Sequence, residues 1–160
     1  MLDFKDYGKI VIRLYPDVAP KTVKHFKSLV AEGFYDGLTI HRIVKDFVIQ
    51  GGDPTGTGIG EEGQKTVYGE FNNNNFENNL RHVKGVVSMA RRENDYNSAT
   101  SQFFICTKDV PNLNNEYAAF GFVVCGMDVL DALNVVETDS STDKPKETIT
   151  ITSAKFVTPQ

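Results

Sequence analysis

Apolar and polar residues alternate in a series of short runs along this chain, and only twice does the apolar spacing lengthen to that of a helix. Lys9-Ile10-Val11-Ile12-Arg13-Leu14-Tyr15 is rich in β-branched residues and alternates towards its end, which predicts a strand closed by Pro16. Pro20 suits the first position of a helix, where a missing N–H loses no bond. Val23, Phe26, Leu29 and Val30 then recur at helical spacing with Lys21, Lys24 and Lys27 between them, and Gly33 ends the segment. Residues 38–44, 47–50, 86–90, 102–107 and 119–124 each read as a strand, and 148–152 is a nearly strict period-two strand running on towards Phe156. Residues 127–133 predict a short second helix with Asp128 in its first turn, where the helix dipole favours negative charge. Strands and helices do not alternate regularly, so a parallel βαβ sheet is disfavoured. About eight strands and two helices point instead to a closed antiparallel barrel with helices plugging its ends, since closure removes exposed edges.

The chain has 160 residues, which predicts a single domain spanning 1–160. Net charge is −4, so nucleic acid is not expected as a partner, because phosphate binding needs a basic face. The basic pair Arg91-Arg92 reads as a solvated surface. No apolar run reaches the roughly 18 residues of a membrane span, and the mixed start Met1–Asp6 does not resemble a secretory signal. Cys106 and Cys125 lie in apolar runs without metal-ligand spacing and are expected to be buried free thiols. A cytoplasmic protein is expected.

The candidate chemistry gathers in two segments. Phe47-Val48-Ile49-Gln50-Gly51-Gly52-Asp53 follows Arg42 closely, and Ser101-Gln102-Phe103-Phe104-Ile105 echoes it downstream. Side chains two apart on a strand share a face, so Val48 and Gln50 point one way and Ile49 the other. If Phe103 and Ile105 fill the barrel, Gln102 and Phe104 look outward. Phe104 then either stands exposed on a binding surface or is covered by the loop at 111–117. Amide donors, one fixed cation and an apolar surface can grip a peptide and reshape it without covalent chemistry. The glycines of Gly56-Thr57-Gly58-Ile59-Gly60 match neither phosphate-binding pattern and read as a tight turn that could also admit a ligand backbone. His25, His41 and His82 are scattered without cysteine partners, so no metal is expected, and His25 is placed on the surface or flank of its helix. No serine lies in a nucleophile-elbow context. The long irregular stretch at 51–79 is expected to be ordered and functional.

The chain resembles the cyclophilins, the barrel family of peptidyl-prolyl cis-trans isomerases. The match runs from Gly8 to about Leu133 and includes Ala19-Pro20-Lys21-Thr22-Val23, Phe34-Tyr35-Asp36-Gly37, Thr39-Ile40-His41-Arg42-Ile43, the segment from Phe47 to Gly58, Gly85-Val86-Val87-Ser88-Met89-Ala90, Ser101-Gln102-Phe103-Phe104-Ile105 and Phe120-Gly121. The resemblance implies an eight-stranded antiparallel barrel capped by two α-helices, a mainly β fold. It implies rotation of X-Pro bonds in unfolded or exposed segments, as a folding helper without a cofactor. A non-catalytic proline-peptide binding module on the same scaffold is the alternative, and the presence of Arg42 argues against it.

Residue by residue, Arg42 matches the family's catalytic arginine. Gln50 and Gln102 match the amides that hold the substrate backbone. Phe47, Val48, Phe104 and Leu113 match the walls of the proline pocket, with Val48 standing where a Met is usual. Ala90 and Arg91 match the strand edge along which the peptide pairs, and Gly58 lines the adjoining pocket. Three departures stand out: Tyr117 where a His is common, Asn112 where some members carry a Trp that contacts cyclosporin, and Arg91-Arg92 in place of an Asn-Ala pair. They imply a weaker cyclosporin interaction and an altered substrate preference. A monomer is expected, with no membrane partner.

Overall fold

The computed structural model describes residues 1–158. Eight strands form one antiparallel sheet: β1 (Leu2–Phe4), β2 (Gly8–Leu14), β3 (Ile40–Val44), β4 (Val48–Gly51), β5 (Val86–Met89), β6 (Phe103–Cys106), β7 (Ala119–Cys125) and β8 (Ile151–Ala154). Their spatial order is β3-β4-β6-β5-β7-β2-β1-β8. The two ends of that order meet. Thr39 bridges Thr150, the Ile40 N–H donates to the Ile149 carbonyl at 2.9 Å, and the Ile151 N–H donates to the Leu38 carbonyl at 2.8 Å. The sheet is thus a nearly closed barrel with no long edge left open.

Register explains the inside. Ile43 faces Ile49, Ile49 faces Ile105, and Ile105 faces Val87 across successive strands. All four are buried, as are Phe103 and Phe120 beside them. Helix α1 (Pro20–Ala31) lays Phe26 over this core, with ring centroids 5.2 Å from Tyr35, 5.9 Å from Phe103 and 5.0 Å from Phe120. Its first turn carries no acidic residue, and buried Glu70 supplies the charge instead. One Glu70 oxygen accepts from the Thr22 N–H at 2.6 Å and from the Thr22 hydroxyl at 2.7 Å, which satisfies an orphan donor at the helix N-terminus. Helix α2 (Met127–Asn134) buries Val129, Leu130 and Leu133 against β2, β3 and β4.

Several expectations shift. Strand β1 was not legible, because three residues carry no measurable period. Strand β8 begins at Ile151 and stops at Ala154, short of Phe156. His25 is buried, not on the flank, and its Nε2 meets the Thr100 carbonyl at 2.5 Å. Cys125 is exposed at the end of β7, although it still pairs with Val11 of β2; Cys106 alone of the two is a buried thiol. The region 51–79 is ordered, with a short 3-10 turn at Asn72–Asn74.

Candidate active site

The outward row of the same sheet carries the candidate chemistry. Arg42 pairs with Gln50 across β3 and β4, and Gln50 pairs with Phe104 across β4 and β6. Two residue pairs along, on the same face, Val44 faces Val48 and Val48 faces Cys106. These outward residues form a second apolar cluster separate from the barrel core: Val48, Phe104, Cys106, Val110 and Leu113, with Phe47, Ala90 and Tyr117 packed against it. The strand facing predicted for Phe103 and Phe104 is correct. Phe104 is nonetheless only 5% exposed, because Leu113 and Tyr117 from the following loop cover most of it.

A pocket of about 210 Å³ remains in front of that cluster, lined by Arg42, Phe47, Val48, Gln50, Ala90, Arg91, Phe104, Leu113 and Tyr117. It joins a second pocket of about 160 Å³ that includes Gly58, Gly60, Gln64 and Thr100 among its walls and shares Gln50, Ala90 and Arg91 with the first; Gln102 also lines it. Asn112 lines neither pocket and is exposed on the 3-10 turn Pro111–Leu113, so its own side chain forms no wall here.

The polar groups are ordered in one direction. Arg42 Nη1 donates to Gln50 Oε1 at 3.4 Å, Gln50 Nε2 donates to Gln102 Oε1 at 3.1 Å, and Gln102 Nε2 donates to the Gly58 carbonyl at 3.1 Å. A carbonyl only accepts and a guanidinium only donates, so both amide orientations are fixed by the two ends of the chain. The Gly58 end is itself anchored. Asp53 Oδ2 accepts from the N–H groups of Gly58 and Gly60 at 2.7 and 3.1 Å, and Oδ1 accepts from the Thr55 N–H at 2.8 Å. Burial alone would raise the Asp53 carboxyl, but these hydrogen bonds outweigh it and hold the group below the usual carboxylate range. The glycine turn therefore already has its own anion, and its amides are not waiting for a phosphate. Gly58 adopts φ +86°, and a Cβ there would sit 3.4 Å from His41 Nε2. Burial lowers the His41 pKa, Arg42 and Lys144 add to this, and Asp53 opposes it.

Behind the pocket, His82 stacks on Phe104 with centroids 6.0 Å apart. Its Nε2 meets Ser88 Oγ at 3.0 Å, and burial pushes its pKa down to about 4. Cys106 is no nucleophile: burial, with Asp109 adding to it, pushes its thiol up to about 12. Among the described residues no group of three or more His, Cys, Asp or Glu could hold a metal ion.

Arg91 departs furthest from expectation. Its side chain is 6% exposed, not solvated, while Arg92 next to it is exposed as expected. Three aromatic rings and a ring of carbonyls enclose the Arg91 guanidinium. The strand β5 stops at Met89, but Ala90 still donates to the Gln102 carbonyl at 3.0 Å. Among the described residues the main-chain N–H and C=O of Arg91 have no partner, which leaves them for an incoming strand.

Comparison with known proteins agrees with this barrel. The family model described as cyclophilin type peptidyl-prolyl cis-trans isomerase/CLD matches residues 1–156. The chain belongs to the cyclophilin family of peptidyl-prolyl cis-trans isomerases, enzymes that rotate the peptide bond before proline. It is 44% identical over 148 residues to peptidyl-prolyl cis-trans isomerase ppi1 of Schizosaccharomyces pombe, covering 92% of each chain. It is 41% identical to peptidyl-prolyl cis-trans isomerase-like 1 of Neurospora crassa, covering 94% of this chain and 89% of that one. Among solved structures, a cyclophilin-type isomerase of Cryptosporidium parvum superposes with a TM-score of 0.88 at 33% identity, covering 99% of this chain and 96% of that one. The same protein in the presence of the dipeptide Ala-Pro gives a TM-score of 0.85 at 34% identity, covering 95% of this chain and 94% of that one.

Proposed function

We propose that the pocket beside Arg42 is where this chain turns X-Pro bonds over, with Arg42 as the catalytic donor and Gln50 as the residue that aims it. The observation that carries the reading is the ordered chain from Arg42 through Gln50 and Gln102 to Gly58 along the rim of an apolar pocket. Phe47, Val48, Phe104, Leu113 and Tyr117 hold the pyrrolidine ring, Ala90 and Arg91 pair with the peptide backbone, and the second pocket at Gly58 takes the residues before the X-Pro bond.

An X-Pro bond turns over a barrier of about 20 kcal/mol because amide resonance must be broken. In the twisted transition state the proline nitrogen becomes pyramidal and regains its lone pair. A donor aimed at that nitrogen binds the transition state more tightly than the planar amide, and such a difference is what accelerates the step. Arg42 suits the role, since its guanidinium stays charged and is directional. One of its N–H groups holds Gln50, and among the described residues the others have no partner and are open to the substrate. Apolar walls exclude water from the ring and strengthen that hydrogen bond.

The test is line-shape exchange NMR on an Ala-Pro peptide. Arg42→Ala should lower kcat/KM by about 10²-fold, roughly 2.7 kcal/mol, with little change in melting temperature, because the side chain lies in a cleft outside the core. Full activity in the folded variant would remove Arg42 from the mechanism, whereas no exchange enhancement by the folded wild type would favour a binding module.

Finer points belong to the same reading. The substrates are proline-containing segments of unfolded proteins, met by residues 1–160 as one domain acting as a monomer. Cyclosporin binds with reduced affinity, since Asn112 offers neither an indole N–H nor a broad apolar face. The unpaired thiols of Cys106 and Cys125 suit a reducing compartment and support a cytoplasmic location.

A further inference from the structure

Arg91 presents a cation with nothing left to offer a substrate. Nε and Nη2 donate to the Glu116 carbonyl at 3.1 and 3.0 Å, Nη2 also faces the Glu116 carboxylate at 3.5 Å, and Nη1 donates to the carbonyls of Arg92 and Glu93 at 3.0 and 3.1 Å. A guanidinium has five N–H groups, and these contacts use all of them. Its central carbon lies 4.6 Å from the Tyr117 ring centroid, 4.8 Å from Tyr96 and 5.2 Å from Phe71. A desolvated cation among three ring faces is held by each of them. Tyr117 in turn meets Phe104 edge-on at 5.5 Å, and both rings wall the proline pocket.

The segment that carries this wall runs from the 3-10 turn at Leu113 to Ala119 in β7. Hydrogen bonds from His82, Asn72, Asn73 and Met89 hold it at Asn114, Asn115, Glu116 and Ala118, on either side of Tyr117, and none of them reaches the Tyr117 ring. Arg91 grips it at the Glu116 carbonyl and at the Tyr117 ring. We infer that Arg91 is a positioning residue: it pins the Tyr117 wall against Phe104 and so sets how tightly the pocket holds the proline ring, while Arg42 sets turnover. The inference rests on the pocket reading above. A grip on the ring acts on ground state and transition state alike, so its loss raises KM and leaves kcat nearly unchanged.

Arg91→Lys keeps the stem and the charge but replaces the planar fork by a single ammonium. One ammonium cannot span the Glu116 carbonyl on one side and the Arg92 and Glu93 carbonyls on the other. Saturation curves for an Ala-Pro peptide, measured by exchange NMR, should show KM raised about tenfold and kcat within about threefold of wild type. If Arg91 acts through Tyr117, adding Arg91→Lys to Tyr117→Leu should change KM by less than about twofold. Tyr96→Leu removes a half-exposed ring that touches Arg91 and lines neither pocket, and it should raise KM about threefold by loosening Arg91. Tyr96→Leu serves if Arg91→Lys melts below the assay temperature. Wild-type KM in the folded variants overturns the inference. So does a multiplicative effect in the double variant, which would mean that the Arg91 side chain, and not only its main chain, touches the peptide. Arg42→Ala in the same assay separates the two readings: if it leaves kcat unchanged, the pocket assignment fails, whatever Arg91 does.

Discussion

Lowering the pH from 7 to 5 should remove about 2 kcal/mol of stability through His82 alone. The ring is 2% exposed and stacked on Phe104. The main-chain N–H of His82 donates to Asn114 Oδ1 at 2.7 Å, so that atom is the amide oxygen. The same oxygen lies 3.3 Å from Nδ1, which therefore carries the proton and leaves Nε2 to accept from the Ser88 hydroxyl. The neutral ring is satisfied. A second proton would put a charge into this dry site, so burial lowers the pKa to about 4 from 6.5, and the Asn114 contact only partly offsets this. The unfolded chain then binds more protons than the folded one between pH 6.5 and 4. Stability is present in full above pH 6.5 and falls as pH drops through that window, by about 3 kcal/mol in all. Urea melts at pH 7 and pH 5 measure it, beside an NMR titration of the ring. His82→Gln should lose less over the same interval by about 2 kcal/mol; the lowered His41 contributes a remainder of the same sign to both proteins. An imidazole that titrates near 6.5 in the folded protein, or an equal loss in His82→Gln, refutes the reasoning.

Phe103→Ala should cost about 3–5 kcal/mol in denaturant melts, since its ring packs in the barrel against Phe26 and Tyr35. Phe104→Ala should cost less and weaken peptide binding more; the reverse order would invert the facing of β6. Asp53→Asn has one acceptor oxygen for amides that now share two, so the Gly58 and Gly60 amides should exchange faster and kcat/KM should fall several-fold through the loosened Gln102 anchor; unchanged exchange would detach the turn from the site. Asn112→Trp should tighten cyclosporin inhibition by about 10-fold or more; tight inhibition of the wild type, with no gain from Trp, rejects that role for position 112.

How far the sequence led depended on whether neighbours in the chain or neighbours in space decide the outcome. Period-two runs exposed most strands because each wall of the barrel has a wet or covered outside and a dry inside. Ile43, Ile49, Ile105 and Val87 sit in one inward ring for that reason. Strand β1 is held by its partners β2 and β8 and not by a pattern of its own, so Leu2-Asp3-Phe4 gave no signal. The asparagine-rich stretch reads as a polar loop, yet Asn78 is buried and its amide donates to the carbonyls of Glu70 and Ala119, both at 2.9 Å. No local rule tells such an amide from a solvated one.

The site divides the same way. The face shared by Val48 and Gln50 follows from strand geometry, and the family motif supplies Arg42. The direction of the amide chain needs the Gly58 carbonyl, which is brought in by a turn folded around Asp53. Arg91 and Arg92 make the sharpest case. They are identical neighbours, and a short basic pair is ordinarily a solvated surface. One points into water. The other is enclosed because Phe71, Tyr96 and Tyr117, from three separate loops, converge on one side chain, and because the Glu116 carbonyl lies within reach of its fork. A buried arginine left without those acceptors would be strongly destabilising. The aromatic wall and the cation therefore form one unit, and a substitution at Arg91 is felt at Tyr117, in the wall of the pocket that Arg42 also lines.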